Sequence, residues 1–497
     1  MEIDLSDIHR RGRASARFAI ARPGRAALDG AAAFDLAARA AGRLRALGVG
    51  SGDVLLHQGP QDLQAFVLFW AAVSLGAVFA PVDPDWPDYQ LARAVRFSAA
   101  AAACAAGGSA AAIAGQRPLV PLGSDFEAWL GDAEPAEPVK TDPQAPAAYL
   151  FTSGSTGTPK AVVLSRRALA RSGALAVETF GWRPGQRLVN LPEPHTMSGL
   201  RNAFVAAPLG ELVWTPLPPE DRPNLVSLMD RLAEAGCEQL VCGPLLVRHL
   251  ALLADRLEPD ALATLGAIFC TGANLGPVDA ARVHDRFGAP VVNYYGLTET
   301  GGLCLSQSPE TWSPADESLG RPVGCETRLV DLAGRPVGEG AVGELLVRSP
   351  QLMSGYLDDP AATAARLDKE GWLHTGDLMR RGVHGFELVG RSDGFINTAA
   401  TERVHPEEIE TVLEEHEAVA EAAVCGLTGP DGFERISALV VPARPAATDL
   451  PGRLAAYVAE RLGTGRRPSQ VRLVDHLPRR DNGKLIRGEL KSLFDDA

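Results

Sequence analysis

Apolar and polar positions change their rhythm along the chain in a way that marks elements. From Ala33 to Leu44 they follow helical spacing, Gly48, Gly50 and Gly52 mark a turn, and Val54-Leu55-Leu56 is a short apolar run. This order of helix, turn, short strand, helix and strand recurs to about residue 300, which predicts an α/β domain built on largely parallel sheets. Ala65 to Val82 carries no charge and approaches the length of a bilayer span. Gly76 and Pro81 interrupt it, and Asp83 and Asp85 follow at once. The stretch therefore predicts a buried helix running into a buried strand. The alanine-rich run from Ser98 to Ala114, with Gly107 and Gly108, reads as a helix of low specificity without a function. After about residue 320 the rhythm shortens. Val342 to Val347 and Phe386 to Val389 predict strands between Gly/Pro turns, in a small antiparallel, β-barrel-like subdomain that closes the large domain. Near Gly390-Arg391-Ser392-Asp393-Gly394 the pattern resets into an α+β unit with helices over 406–417 and 453–462. The expected organisation is a large domain over 1–392 and a small C-terminal domain over 393–497, with no tandem repeat of 20–50 residues.

Composition narrows the possible ligands. The chain has 497 residues, 46% of them hydrophobic and 22% charged, enough to bury a sizeable core. Its 48 Lys and Arg against 61 Asp and Glu give a formal charge of −13, which repels polyanions at long range. Binding of nucleic acid or of an anionic membrane by overall charge is thereby excluded, so a phosphate-bearing ligand must be captured by local backbone N–H groups and a few placed cations. That average is uneven. Glu402 to Glu434 holds ten acids against Arg403 alone, a net of −9, and Arg461 to Lys491 holds nine basic residues against three acids, a net of +6. Most arginines of the basic segment are expected to be ordinary solvated charges, and part of it to reach a phosphate site. Cys104, Cys237, Cys242, Cys270, Cys304, Cys325 and Cys425 are scattered without a C-x-x-C pair, as expected of buried thiols in a reducing compartment rather than a metal site. The acidic start, Met1 to Asp7, lacks the pattern of a signal peptide, and a cytoplasmic location is expected.

Two glycine-rich segments invite a nucleotide reading. Gly338-Glu339-Gly340-Ala341-Val342-Gly343 fits G-x-G-x-x-G but opens no helix after a strand, so a hairpin turn is expected there. Tyr149 to Ser165 is different: two apolar strands flank Thr152-Ser153-Gly154-Ser155-Thr156-Gly157-Thr158-Pro159-Lys160. Its glycines permit close backbone approach, its amide N–H groups can line an anion nest, and polyphosphate is the natural guest. It is not a Walker loop, because Ala161 follows Lys160.

This segment resembles the phosphate loop of the AMP-forming adenylate ligases, the superfamily of acyl- and aryl-CoA ligases, non-ribosomal adenylation domains and luciferase. Further segments resemble the same superfamily in the same order. Gly272-Ala273 looks like the adenine-contacting turn. Asn293-Tyr294-Tyr295-Gly296-Leu297-Thr298-Glu299 looks like the adenine-stacking and magnesium motif. Gly343-Glu344-Leu345 through Gly355-Tyr356-Leu357 is similar to the glycine-glutamate strand pair. Asp377 and Arg391 resemble the ribose-binding pair, Asp393 the hinge residue and Asn482-Gly483-Lys484 the turn of the catalytic lysine. The likeness spans roughly residues 30 to 490.

The resemblance implies an enzyme in which a carboxylate attacks the α-phosphorus of ATP, pyrophosphate leaves, and the acyl-adenylate is passed to an acceptor. It assigns catalysis to Lys484, Lys160, Thr156 and Glu299. Nucleotide contacts fall to Thr152, Ser153, Gly154, Ser155, Thr156, Gly157, Lys160, Gly272, Ala273, Asn293, Tyr294, Tyr295, Gly296, Thr298, Asp377, Arg391 and Lys484. The resemblance makes Glu299 the expected magnesium ligand. Residue chemistry agrees: Asp377 is an acceptor-only carboxylate suited to ribose hydroxyls, Tyr295 offers a flat face for adenine, and Glu299 is a hard oxygen ligand. The acid site is expected at Glu193 to Leu200, with His195, Gly199 and Arg201 as substrate residues. The family default acceptor is the thiol of CoA or of carrier-protein pantetheine. One departure bears on it, because Ala399-Ala400 stands where glycines of the thiol channel are expected, which leaves an amine acceptor, and so an amide synthetase, as the alternative. A nucleotide-binding homologue without catalysis is the third reading. Retention of Lys160, Glu299, Asp377, Arg391 and Lys484 together argues against it.

Overall fold

The breakers in the 65–82 stretch act as the sequence predicts. Asp62 caps a helix over Leu63–Leu75 by accepting from Ala65 N, Gly76 ends it at φ +71°, and strand Val78–Val82 follows. The helix is buried on every side, with Phe66, Phe69 and Trp70 fully enclosed. Among the described residues no helix is long and apolar enough to cross a membrane. The computed structural model describes all residues except 1–2, 23, 85, 87, 106–116, 153–159, 223, 273–274, 332, 392–393, 395, 398–402, 429–433, 446–447, 480–484 and 495–497.

The chain forms two compact units, one of Met1–Glu326 with Val347–Leu373, the other of Thr327–Leu346 with His374–Ala497. The first unit has two large mixed sheets flanked by helices, an α/β architecture. One sheet runs in the order Gly355–Tyr356, Lys160–Ser165, Pro146–Thr152, Val78–Val82, Val54–Gln58, Ala102–Ala105, Leu119–Pro121. Its interior pairs are parallel, and its first two pairings are antiparallel. The other has nine strands, with Arg187–Asn190, Gln239–Cys242, Ala267–Cys270 and Val291–Tyr295 parallel at its centre and antiparallel pairs towards its edges. Parallel strands covered on both faces explain the near-continuous apolar runs of the sequence.

The described part of the alanine-rich run departs from its expected helix. Ala102–Ala105 is a strand with every residue buried, paired on both sides. Alanine's helix preference is worth only tenths of a kcal/mol per residue, and pairing all backbone groups between two neighbouring strands overrides it. Residues 106–116 lie outside the described ones.

The second unit carries a four-stranded sheet in the order Glu326–Val330, Val342–Arg348, Leu373–Arg381, Phe386–Arg391. The G-x-G-x-x-G segment lies in the connection between the first two of these strands, where Ala341 N donates to Gly338 O in a turn, and no helix follows it. Beyond it, helices Pro406–Glu414 and Leu450–Leu462 pack with the three-stranded sheet of Val419–Thr428, Glu434–Pro442 and Gln470–Leu473 around Val404, Ile409, Leu413, Leu454 and Val458.

Candidate active site

Strands Pro146–Thr152 and Lys160–Ser165 form a hairpin whose loop end pairs Thr152 with Lys160, and Thr152 Oγ1 donates to the Lys160 carbonyl at 3.4 Å. The loop residues Ser153, Gly154, Ser155, Thr156 and Gly157 lie outside the described residues. The Lys160 ammonium stands 5.1 Å from the centre of the Tyr356 ring, and among the described residues it has no carboxylate partner.

Tyr356 lies on the two-residue strand that extends this sheet, opposite Val162. Its hydroxyl donates to Glu299 Oε1 at 2.7 Å. Burial first, and then the adjacent Glu299 carboxylate, push the phenol well above its ordinary pKa, so it stays a donor. Glu299 belongs to the single 3-10 turn Thr298–Thr300 that follows strand Val291–Tyr295, and its carbonyl accepts from Met353 N at 2.9 Å. Lys160, on one sheet, and Glu299, on the turn beyond a strand of the other, thus meet on one tyrosine. In the sequence Tyr356 stands out only as part of a strand pair. Its Gly-Tyr dipeptide was the available signal, but nothing in the order of residues shows which side chains it joins.

The adenine segment builds on neighbouring parallel strands. Cys270 pairs with Asn293, so Gly272, at φ +104°, and Tyr295 leave adjacent strand ends, the place where open α/β sheets bind ligands. Alternation along the strand separates the two tyrosines: Tyr294 is 1% exposed and packs on Phe180 with ring centres 5.0 Å apart, whereas Tyr295 points to the half-exposed side. Asn293 is buried, its N–H donating to Gln307 Oε1 at 2.9 Å, while its side-chain oxygen Oδ1 has no partner among the described residues. A buried acceptor without a partner is what an adenine amino group would satisfy. Gly296 is required by contact, since a Cβ there would lie 2.3 Å from Gly302 C and 2.4 Å from Leu303 N. Ala273 lies outside the described residues, and Thr298 opens the turn that carries Glu299.

The acid segment is held by buried polar groups. His195 Nε2 is 3.9 Å from Asp83 Oδ2. Gly199 lies against the Glu193 carbonyl, where a Cβ would sit at 1.9 Å, and its own carbonyl accepts from Gln61 Nε2 at 3.1 Å. Glu193 takes Gln61 N at 2.8 Å and Arg222 at 2.7 Å. A π-helix over Leu200–Ala206 follows directly, a feature that recurs at functional sites. Arg201, expected to face the substrate, is wholly buried. Its Nε donates to Asn202 Oδ1 at 2.8 Å, and its terminal nitrogens reach Gly301 O and Tyr294 OH at 3.4 and 3.5 Å. Asn202 continues to Asn190 at 3.0 Å and Asn190 to Gln61 at 3.3 Å. The guanidinium thus ties the acid segment to the turn just beyond Glu299, and the aromatic faces of Tyr294 and Phe180, 5.6 and 5.9 Å away, are the electron-rich surfaces beside it.

In the second unit Asp377 is 5% exposed, and Oδ1 accepts from Arg391 at 2.8 Å. The turn is fixed by Thr375, whose hydroxyl donates to Leu345 O at 2.7 Å and accepts from Asp377 N at 3.1 Å. Asp393 and Lys484 lie outside the described residues, as does Ala399-Ala400. Several of the terminal cations, expected to be mostly solvated, form ion pairs while staying partly exposed. Arg461, Arg466, Arg479, Arg487 and Lys491 pair with Glu415, Glu408, Glu421, Glu407 together with Glu410, and Glu434. The acidic and basic segments neutralise each other because folding packs them side by side, which a reading of either segment alone misses.

The cysteines hold to their expected character: all seven are free thiols, and all but Cys325 are buried. Burial pushes Cys237 and Cys242 up to about 12, far from thiolate reactivity. Among the described residues no three or more His, Cys, Asp or Glu side chains converge as a metal cage. A single carboxylate, Glu299, with one oxygen held by a phenol, fits magnesium shared with substrate phosphates, which needs only one or two protein carboxylates.

Comparison with known proteins completes the picture. Residues 12–357 match the AMP-binding enzyme family and residues 408–484 the C-terminal domain of AMP-binding enzymes. The chain is 30% identical to a sulfoacetate–CoA ligase of Cupriavidus necator, over 90% of this chain and 88% of that protein. The ATP-bound structure of MatB from Rhodopseudomonas palustris shares the fold with a TM-score of 0.90 at 24% identity, covering 99% of both chains. The amide bond synthetase McbA of Marinactinospora thermotolerans matches at 26% identity and a TM-score of 0.84, over 98% of this chain and 99% of that one. The chain belongs to the AMP-binding enzymes, the AMP-forming superfamily that includes the acid–CoA ligases.

Proposed function

We propose that this protein activates a small carboxylic acid with ATP, releases pyrophosphate and transfers the acyl group from the adenylate to a thiol, that of CoA or of a carrier protein's pantetheine. The observation that carries the reading is the convergence of Lys160 and Glu299 on Tyr356, together with an Asn293 oxygen that has no partner among the described residues, on the strand that leads to the Glu299 turn. A cation that no described carboxylate neutralises and a hard oxygen ligand suit a triphosphate, and the orphaned acceptor suits an adenine.

In this reading Thr152 to Lys160 and Lys484 hold the phosphates, and Glu299 together with phosphate oxygens holds magnesium, which supplies charge neutralisation when bound. Tyr295 and Gly272 flank the base, and Asp377 with Arg391 takes the ribose. His195 and Gly199 line the acid site, and Arg201 fixes the segment that bears them. The substrate carboxylate attacks the α-phosphorus in line with the leaving pyrophosphate, a step that depends mainly on positioning and on neutralising charge. Asp393 serves as the hinge, and part of the basic terminal segment reaches the phosphate loop. A cytoplasmic setting fits the buried reduced thiols.

An amine acceptor is the second reading, favoured by the whole-length likeness to an amide bond synthetase and by Ala399-Ala400. A panel of acids screened for pyrophosphate release, followed by mass spectrometry with CoA or amines offered separately, decides between them. Rapid acyl-CoA formation without amide supports the thiol and excludes the amine, and the reverse result overturns the thiol.

A further inference from the structure

Opposite charges that lie near each other in a partly buried site normally close into an ion pair. Lys160 and Glu299 do not: both contact Tyr356, and no ion pair joins them. The tyrosine offers each a different end. Its ring lies beneath the ammonium at 5.1 Å, and its hydroxyl holds Glu299 Oε1 at 2.7 Å, with the Arg366 side chain also against that hydroxyl. It is itself held firmly, being 8% exposed, paired in register with Val162, and with its N–H donating to Thr363 Oγ1 at 2.9 Å. The neighbouring Met353 N bonds the Glu299 carbonyl, so the short segment 353–356 grips both the hairpin of one sheet and the turn beyond the other.

We propose that Tyr356 is a positioning residue that works as a spacer: it keeps the Lys160 ammonium from neutralising the Glu299 carboxylate, so that both stay available to magnesium-ATP. The inference rests on the ATP-binding role proposed above. A lysine on a flexible four-carbon stem would otherwise reach an unshielded carboxylate. With the hydroxyl in place, one carboxylate oxygen is committed to the phenol and the group is oriented, while the cation is held over an aromatic face, a weak interaction that phosphate readily displaces.

Calorimetric titration of the full chain with ATP, once in excess magnesium and once in EDTA, tests this. Tyr356→Phe keeps the ring and loses the hydroxyl, so the Kd of magnesium-ATP should rise about tenfold, while that of metal-free ATP stays within about twofold. Tyr356→Leu removes the spacer, and both affinities should fall as Lys160 closes on Glu299. Adding Glu299→Gln to Tyr356→Leu should then restore metal-free ATP binding, because no carboxylate is left to capture the lysine. Unchanged affinities in Tyr356→Phe, or no restoration in the double variant, would overturn the spacer. If the leucine variants do not fold, Tyr356→Phe decides alone. Wild-type protein that binds no ATP would instead remove the underlying reading.

Discussion

Two charged clusters treat opposite charges in opposite ways. In the first unit Lys160 and Glu299 share a tyrosine and stay apart, whereas in the second Asp377 and Arg391 are joined at 2.8 Å and the acidic and basic terminal segments pair repeatedly. A cluster that awaits a polyanion must leave its cation unneutralised, because an ion pair already formed has to be broken before a phosphate can enter. Pairs such as Arg487 with Glu407 and Glu410 order helix Pro406–Glu414 against the chain's last segment. The cations available to a ligand are therefore few, and they are not those that a count along the sequence selects.

The comparison breaks most readily at Lys160. Lys160→Ala should lower the rate of acid-dependent pyrophosphate release about 10²–10³-fold, the usual effect of losing one donor aimed at developing charge. Steady-state kinetics with saturating acid measures it.

Arg201 sharpens the contrast from inside the core. It is a buried cation that has no carboxylate partner among the described residues and holds carbonyl and amide oxygens. Arg201→Ala leaves a cavity and an unsatisfied Asn202 oxygen, for an expected loss of about 2–4 kcal/mol in urea unfolding.

His57 shows how the first unit treats a charge it cannot pair. It is enclosed in strand Val54–Gln58, neither ring nitrogen has a partner among the described residues, and burial lowers its pKa to about 4. The unfolded chain binds more protons than the folded one between about 4 and 6.5, so this contribution is full above the unfolded value and is lost as pH falls towards 4. Asp62, raised by burial to about 6, acts with the opposite sign over the window from 3.8 upward, and His9, lowered to about 4, with the same sign as His57. The effect of His57 is thus a difference: between pH 7 and pH 4, His57→Leu should lose roughly 2–3 kcal/mol less stability than wild type in urea titrations.

The smallest effect belongs to an exposed pair. Lys491→Ala removes a 3.2 Å contact to Glu434 from a side chain that is 54% exposed, and stability should change by less than about 0.5 kcal/mol. Parallel unfolding curves check it.

What the sequence made legible follows from how locally each feature is encoded. The helix ending at Gly76, the hairpin around the phosphate loop and the turn at Gly338 to Ala341 are written in contiguous breakers and periodicity. The site motifs were legible because each is a short run: Asn293 to Glu299 is one strand and its turn. What escaped is tertiary. Tyr356 lies 57 positions from Glu299. Arg201 reads as a polar residue in the acid segment, but the π-helix turns it into the core. The Ala102–Ala105 strand has no periodic signal, because alanine is small enough for either element and only its neighbours decide. The pairing of the acidic and basic terminal segments joins stretches that a segment-by-segment charge count treats separately.

The central claim is that ATP is split between its α- and β-phosphates by a carboxylic acid. Exchange of labelled pyrophosphate into ATP, measured across a panel of acids, tests it most directly. The account predicts exchange that requires both a specific acid and magnesium and falls sharply in Lys160→Ala. Release of ADP and inorganic phosphate, with no exchange in the presence of any acid, would contradict it.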